Sequence, residues 1–375
     1  MKITSVKAYV LKQPMSRPAG PANFYFRVRT AVIVRIESDS GLVGWGETVA
    51  LPGLKSIIED HYAPLLIGRD PREHRSIWRE LWGQNFGNGV ALGGVDIALD
   101  DLRGKALGLP VAELYGGRLR EKVPVYASAM NYIEGEDPAE YYPREAAELL
   151  KQGFRAMKMR IGGQPLAKDL KAIEAVRAVV GPDVKLMADG NGAYSLGSAI
   201  EMGRELERLK FHWFEEPLPQ RTPDYPGYEV LTAKLDIPIA ACEGLTSRGG
   251  FKEAITRRAM TIVQPDVALA GGINECLFVA EMARLWGIQC MPHTWAGWGV
   301  VAASVHFLSL LPDASWGRTT ETPMLEFDRV ENPFRDHLFK RTIEIKDGFA
   351  TVPRLPGLGI EVDEERLAFY VKAST

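Results

Sequence analysis

Three acidic residues, Asp189, Glu215 and Glu243, close three short apolar runs (VKLMADG, HWFEEP and PIAACEG) at intervals of 26 and 28 residues. An interval of that size holds one strand, one helix and the loops between them. A repeating strand–helix unit with that spacing brings three carboxylates, distant in sequence, to neighbouring points on one rim. Three carboxylate oxygens, leaving room for water and substrate oxygens, suit a hard cation such as Mg²⁺. Singly, each would read as a helix cap or a solvated side chain. At equivalent positions of three successive units they read as a ligand set.

Other polar residues fall at the same level of the repeat. Lys158 and Arg160 stand two apart in FRAMKMRI, so in a strand both face one side, and two inward cations need an anionic partner. Asp266 follows Gln264-Pro265, and on the next unit His293 follows Met291-Pro292. A carboxylate that accepts from one imidazole nitrogen fixes the tautomer and raises the basicity of the other, which is how a general base near neutral pH is built. Asn191, two residues past Asp189, faces the same pocket, whereas Glu216 is expected to point away from Glu215. After the last unit come Glu321 and Glu326, and either could reach the rim. A cation and a positive pair would hold a substrate carboxylate and stabilise the enediolate formed when His293 removes the proton α to it. A barrel that keeps these groups only to bind a sugar acid is the non-enzymatic alternative; an intact ligand set beside an intact Asp–His pair argues against it.

The elements that must position these residues change character along the chain. Over 1–122, ITSVKAYVLK and TAVIVRIESDSGLVGWGE alternate as antiparallel strands with a turn at Asp39-Ser40-Gly41, and helical periodicity follows in SIIEDHYAPLLIG, HRSIWRELWG and VDIALDDLRGKALG. That order predicts an α+β unit. Over 123–323, strand and helix alternate strictly: VPVYASAM, FRAMKMRI, VKLMADG, HWFEEP, PIAACEG, TIVQPDVA, IQCMPHTW and SWGRTTET are the strands. Eight such units predict a parallel sheet closed into an α/β barrel, with its active site at the C-terminal ends of the strands. No Gly-rich phosphate loop follows the first strand, as a doubly wound dinucleotide fold would want. Residues 324–375 form a tail expected to fold back onto the first unit.

Composition excludes several classes of function. The 375 residues are 46% hydrophobic and 25% charged with a net charge of −3, so there is no basic footprint for nucleic acid. Cys242, Cys276 and Cys290 are too few and too scattered for a disulfide framework. MKITSVKAYVLKQPM lacks the apolar core of a signal peptide, and no eighteen-residue apolar run occurs, so a cytoplasmic protein that does not engage the membrane is expected.

With these residues in place the sequence resembles the enolase superfamily, and within it the mandelate racemase / muconate lactonizing enzyme family. The resemblance spans almost the whole chain: GWGE at 44–47, VDIALDDLRGKALGLPVAELYGG at 95–117, KMR at 158–160, ADGN at 188–191, FEEP at 214–217, CEG at 242–244, QPD at 264–266, PHTW at 292–295 and MLEFD at 324–328. It implies a capping domain over a modified TIM barrel, (β/α)₇β, with the tail completing the cap. It also implies Mg²⁺ on Asp189, Glu215 and Glu243, an Asp266–His293 base, and Glu326 as the electrophilic glutamate that hydrogen-bonds the substrate carboxylate. The substrate would be a small carboxylate, a sugar acid or its lactone, and a homo-oligomer is the family expectation. One position departs from the pattern. Members of this branch usually carry Lys-x-Lys on the second strand, where this chain has Arg160, and a guanidinium is a poor base but a good carboxylate clamp. Two-base racemisation is thereby disfavoured and one-face chemistry through His293 favoured. The resemblance implies acid-sugar dehydration to a 2-keto-3-deoxy acid, with a lactone cycloisomerase, suggested by MLEFDRVENPFR, or a racemase as the alternatives. Tyr25 and Trp295 are the candidate substrate-binding residues outside the rim, Tyr25 in a Pro- and Gly-rich loop over 14–27 whose Arg17 and Arg27 could meet a second carboxylate; a second candidate loop spans 50–55.

Overall fold

The run TAVIVRI is apolar at consecutive positions rather than alternate ones because the strand carrying it is covered on both sides. In the computed structural model, which describes residues 1–219, 225–314 and 321–374, the first unit is an antiparallel sheet of β1 (Ile3–Gly20), β2 (Phe26–Ser38) and β3 (Val43–Thr48). One face, with Val6, Ala8, Val32, Val34 and Ile36, packs on the helix Gly89–Leu107. The other, with Leu11, Ala31, Ile33 and Trp45, is covered by the tail helix Glu364–Ala373 through Leu367 and Tyr370. Gly46 lets β3 lie flat on the first of these helices, since a Cβ there would stand 2.1 Å from the carbonyl oxygen of Gly94.

The barrel begins with β4 (Lys122–Ser128), after which β5 (Tyr132–Ile133) leaves it to pair with β1. It continues through β6 (Ala156–Arg160), β7 (Lys185–Asp189), β8 (Trp213–Glu215), β9 (Ile239–Ala241), β10 (Ile262–Val263) and β11 (Gln289–Cys290), each parallel to its neighbour. The eighth strand differs from the expected SWGRTTET. Residues 315–320 of that segment lie outside the described residues, and the strand that pairs in parallel with β4 is β12, Leu325–Asp328. The tail therefore starts only after a barrel strand, and MLEFD belongs to the barrel wall. Tyr126, Ala156, Met187, Trp213, Ala240 and Ile262 from six strands, with Met291 just after β11 and Met324 just before β12, fill the interior as one cluster. Only the short helix Pro333–His337 follows β12 before the chain returns to the cap, so the fold is a (β/α)₇β barrel with an α+β cap. All three cysteines are buried, and among the described residues none forms a disulfide. Among the described residues no helix is long and apolar enough to cross a membrane.

The helix Trp298–Leu310 is buried nearly all round between barrel and cap, and it carries His306. Nδ1 of His306 lies 3.2 Å from the Ala112 N–H, which it accepts, and Nε2 lies 3.3 Å from the Leu358 carbonyl, to which it donates. Both nitrogens are thus used by the neutral ring, and burial pushes its pKa down to about 4. The unfolded chain therefore takes up this proton first as the pH falls. The stabilisation is complete above about pH 6.5 and is lost on descending to about pH 4, a change of about 3 kcal/mol. Urea unfolding between pH 4 and 7 should show this loss in the wild type and a shallower pH dependence in His306→Gln; equal slopes would contradict it.

Candidate active site

Except for Glu321, the groups singled out at the strand ends come to the same end of the barrel. β6, β7 and β8 run in register, Arg160 opposite Asp189 and Asp189 opposite Glu215, so the parallel ladder itself sets these side chains side by side. Asp189, Glu215 and Glu243 each offer an oxygen within 4.8 Å of the others. Lys158 is wholly buried, in ion pairs with Glu215, with Glu326 Oε1 at 2.8 Å and with Asp189 at 3.4 Å. Burial opposes its charge, yet Glu215 and Glu326 outweigh burial and raise its pKa. Arg160 pairs with Asp189 and lies 3.3 Å from Asn191 Oδ1.

The donor set fits a hard divalent cation. Six carboxylates (Asp189, Glu215, Glu216, Glu243, Asp266 and Glu326) share this end of the barrel with the basic side chains of Lys158 and Arg160. One Glu243 oxygen, Oε2, is buried without a hydrogen-bond partner. Glu215 is held from behind: its Oε2 accepts from Trp213 Nε1 and from Gln264 Nε2, both at 2.8 Å, which leaves Oε1 facing the centre. Such outer contacts orient a ligand and tune its affinity.

His293 Nδ1 lies 2.7 Å from Asp266 Oδ2, while the other oxygen of Asp266 accepts from the Ala268 N–H at 2.7 Å. The carboxylate is thus fixed by its own helix N-terminus, and it presents the imidazole with Nε2 toward the centre. Nε2 lies 3.5 Å from Glu243 and 4.0 Å from Glu326. Burial works against the imidazolium, but Glu243, Glu326 and Asp266 outweigh it and push His293 up to about 10. Glu326 accepts the Thr294 N–H at 3.0 Å. Burial alone would raise its pKa, but Lys158 and then His293 hold it well below the usual carboxylate range. Glu321, by contrast, hydrogen-bonds Gln289 at the opposite end of β11, away from the site.

The structure departs from the sequence reading at several places. Glu216 turns into the cavity instead of away, because its backbone adopts a left-handed φ of 43°. Burial, with Glu243 and Glu215 beside it, pushes its carboxyl well above the usual range. Asn191 (φ 44°) and Cys242 (φ 93°) are also left-handed, so the rims of three successive strands carry the strained backbone typical of functional sites. Tyr25 does not line the cavity of about 600 Å³; its neighbours Phe24 and Phe26 do, and Phe26 stacks on Trp295 with ring centroids 4.6 Å apart. Asn23 ties this loop to the barrel by donating to the Asn191 carbonyl at 2.8 Å. Arg17 and Arg27 pair outward with Glu136 and Glu134, and the loop at 50–55 supplies no cavity residue. Trp298, which opens the following helix, packs against Phe327. Gln264, Trp213 and Asn131 are the contributors that the sequence reading passed over.

Two family models match the chain: the mandelate racemase / muconate lactonizing enzyme N-terminal domain over residues 5–116, and the enolase C-terminal domain-like model over 142–366. D-galactarolactone cycloisomerase of Agrobacterium fabrum is 36% identical over 377 residues, covering 99% of each chain. Arabinonate dehydratase of Saccharolobus solfataricus is 35% identical over 341 residues, 88% of each chain. Among solved structures, the 3,6-anhydro-D-galactonate cycloisomerase from Zobellia galactanivorans superposes with a TM-score of 0.88 at 34% identity, covering 99% of each chain.

Proposed function

The chain belongs to the enolase superfamily, in its mandelate racemase / muconate lactonizing enzyme family, and on that premise we propose that it is a Mg²⁺-dependent enzyme that eliminates a β-oxygen from a sugar acid. Members of the superfamily use Mg²⁺. Asp189, Glu215 and Glu243 would hold the ion, which supplies positive charge to a substrate carboxylate and to the enediolate derived from it. The observation that carries the reading is the single imidazole of His293, braced by Asp266 and aimed at that carboxylate set, with no second neutral base facing it from Arg160.

In this reading a cation held by Asp189, Glu215 and Glu243 would offset the negative charge that keeps the imidazole protonated, and His293 Nε2 then takes the proton from the carbon α to the carboxylate. Lys158 and Arg160 face the charge that develops on the carboxylate oxygens. The electron pair left at the α carbon forms a double bond to the β carbon as the β carbon–oxygen bond breaks. The imidazolium, on the same face, returns its proton to the departing oxygen. The enol so formed tautomerises to a 2-keto-3-deoxy acid. Glu326 must gain a proton to donate a hydrogen bond to the substrate carboxylate. The anion arriving beside it supplies the repulsion that favours that proton, whereas Lys158 keeps it ionised beforehand.

If the departing oxygen is a free hydroxyl, the enzyme is an acid-sugar dehydratase, which we take as the leading reading. A ring oxygen of a lactone or anhydro sugar leaves by the same step without loss of atoms. The 36% identity to a galactarolactone cycloisomerase across 99% of the chain favours that second reading. Incubating open-chain acids and their lactones with the Mg²⁺-loaded protein separates the two. A 2-keto acid lighter than its open-chain precursor by one water marks the dehydratase. A 2-keto acid formed only from a lactone or anhydro acid, and of the same mass, marks the cycloisomerase. No keto acid from either class would contradict both.

A further inference from the structure

The GWGE motif at 44–47 sits in the capping domain, and its glutamate reaches the barrel loop that carries the base. Glu47 is 2% exposed, and its two oxygens accept from the Gly297 N–H at 2.7 Å and the Gly299 N–H at 3.0 Å. Those donors open the thirteen-residue helix Trp298–Leu310, four and six residues beyond His293. A helix N-terminus is thus capped by a carboxylate from another domain. The fit is close: a Cβ on Gly297 would stand 2.8 Å from a Glu47 oxygen. β3 is itself anchored, since the Trp45 N–H donates to the buried Asp101 at 2.9 Å.

A second cap residue grips the same region. Arg29, 3% exposed, pairs with Asp328 at 2.7 Å, and its guanidinium carbon lies 3.8 Å from the centroid of the Trp295 ring. The cap thereby holds the segment after β11 on two sides and the end of β12 beside Glu326. No ladder hydrogen bond links β11 to β12 among the described residues, and the barrel holds the start of this loop through the His293–Asp266 pair and the Thr294 N–H on Glu326, so the stretch from Trp295 to Gly299 rests on the cap contacts.

We infer that Glu47 is a positioning residue for catalysis: acting through the Gly297 and Gly299 N–H groups, it fixes the segment that aims His293 into the site. This rests on the reading of His293 as the base. Asp189, Glu215 and Glu243 lie on other strands, so the cation site should be indifferent to Glu47.

The test uses Glu47→Ala, Gly297→Ala and their combination in the full-length protein, with His293→Asn alongside. Glu47→Ala is expected to lower kcat about a hundredfold, the cost of a displacement near 1 Å, with KM and calorimetric Mg²⁺ affinity within about threefold of wild type. Gly297→Ala, which pushes the carboxylate off its donors, should lose a similar factor. The double variant should lose no more than Glu47→Ala alone, because the added methyl enters vacated space. A purely structural role would lower stability and leave kcat per Mg²⁺-binding molecule intact. That result in either single variant, or additive losses in the double, overturns the inference, and Gly297→Ala decides it if Glu47→Ala fails to fold. Full activity in His293→Asn would instead remove the reading beneath it.

Discussion

His293→Asn is expected to lower turnover by about 10³–10⁴-fold, the upper range for a positioned general base, while Mg²⁺ binds as in the wild type. The geometry makes this variant clean. Asp266 is held independently by the Ala268 N–H, so the carboxylate stays where it is when the imidazole goes, and an asparagine amide can still donate to it. Glu243 keeps its position at the end of the β9 unit. The loss should therefore appear in kcat and in solvent exchange of the substrate α-proton together. Calorimetry with Mg²⁺ and α-proton exchange followed by NMR check the two halves; exchange persisting at the wild-type rate would assign the base to another group.

The second large effect is expected at Glu215. In Glu215→Gln the amide oxygen is forced into the position of Oε2, because Trp213 and Gln264 both donate there. The amide nitrogen then faces Lys158 and the centre, offering hydrogens where a cation needs a lone pair. Mg²⁺ affinity should fall by at least about a hundredfold, beyond the loss typical of a supporting residue, and turnover with it. Releasing the brace instead, with Gln264→Ala, should cost less, about tenfold in affinity. A Glu215→Gln protein that binds Mg²⁺ within threefold of wild type would show that the ion is not held at this carboxylate.

Much of this site could be read from the chain because a barrel repeats. Once strand and helix alternate, residues at the ends of successive strands must share a rim, so Asp189, Glu215, Asp266 and His293 were legible from spacing and residue type. Lys158 and Arg160 followed from the two-residue alternation of a strand. The misses have equally physical causes. The inward turn of Glu216 depends on one left-handed φ, which residue identity does not encode for a glutamate. Phe24 and Phe26 line the cavity in place of Tyr25 because β1 loses its register with β2 before the turn, the ladder skipping from Pro14 to Ala19. β12 is only four residues long and rich in acid, so its pattern reads as tail. Glu47 and Arg29 look like ordinary strand charges in sequence. Their burial follows from the way the cap docks on the barrel, which no local pattern reveals.

The central claim is that one braced imidazole, beside a carboxylate-held cation, removes the proton α to a carboxylate and drives loss of the β-oxygen. The most direct measurement is incubation of a panel of sugar acids, diacids and lactones with the Mg²⁺-loaded protein in D₂O, following 2-keto acid formation and α-deuterium in the recovered substrate. The account predicts a 2-keto-3-deoxy product from at least one of them, abolished by chelation and by His293→Asn. Recovered substrate carrying deuterium in inverted configuration at the α carbon, with no keto acid formed, would contradict it.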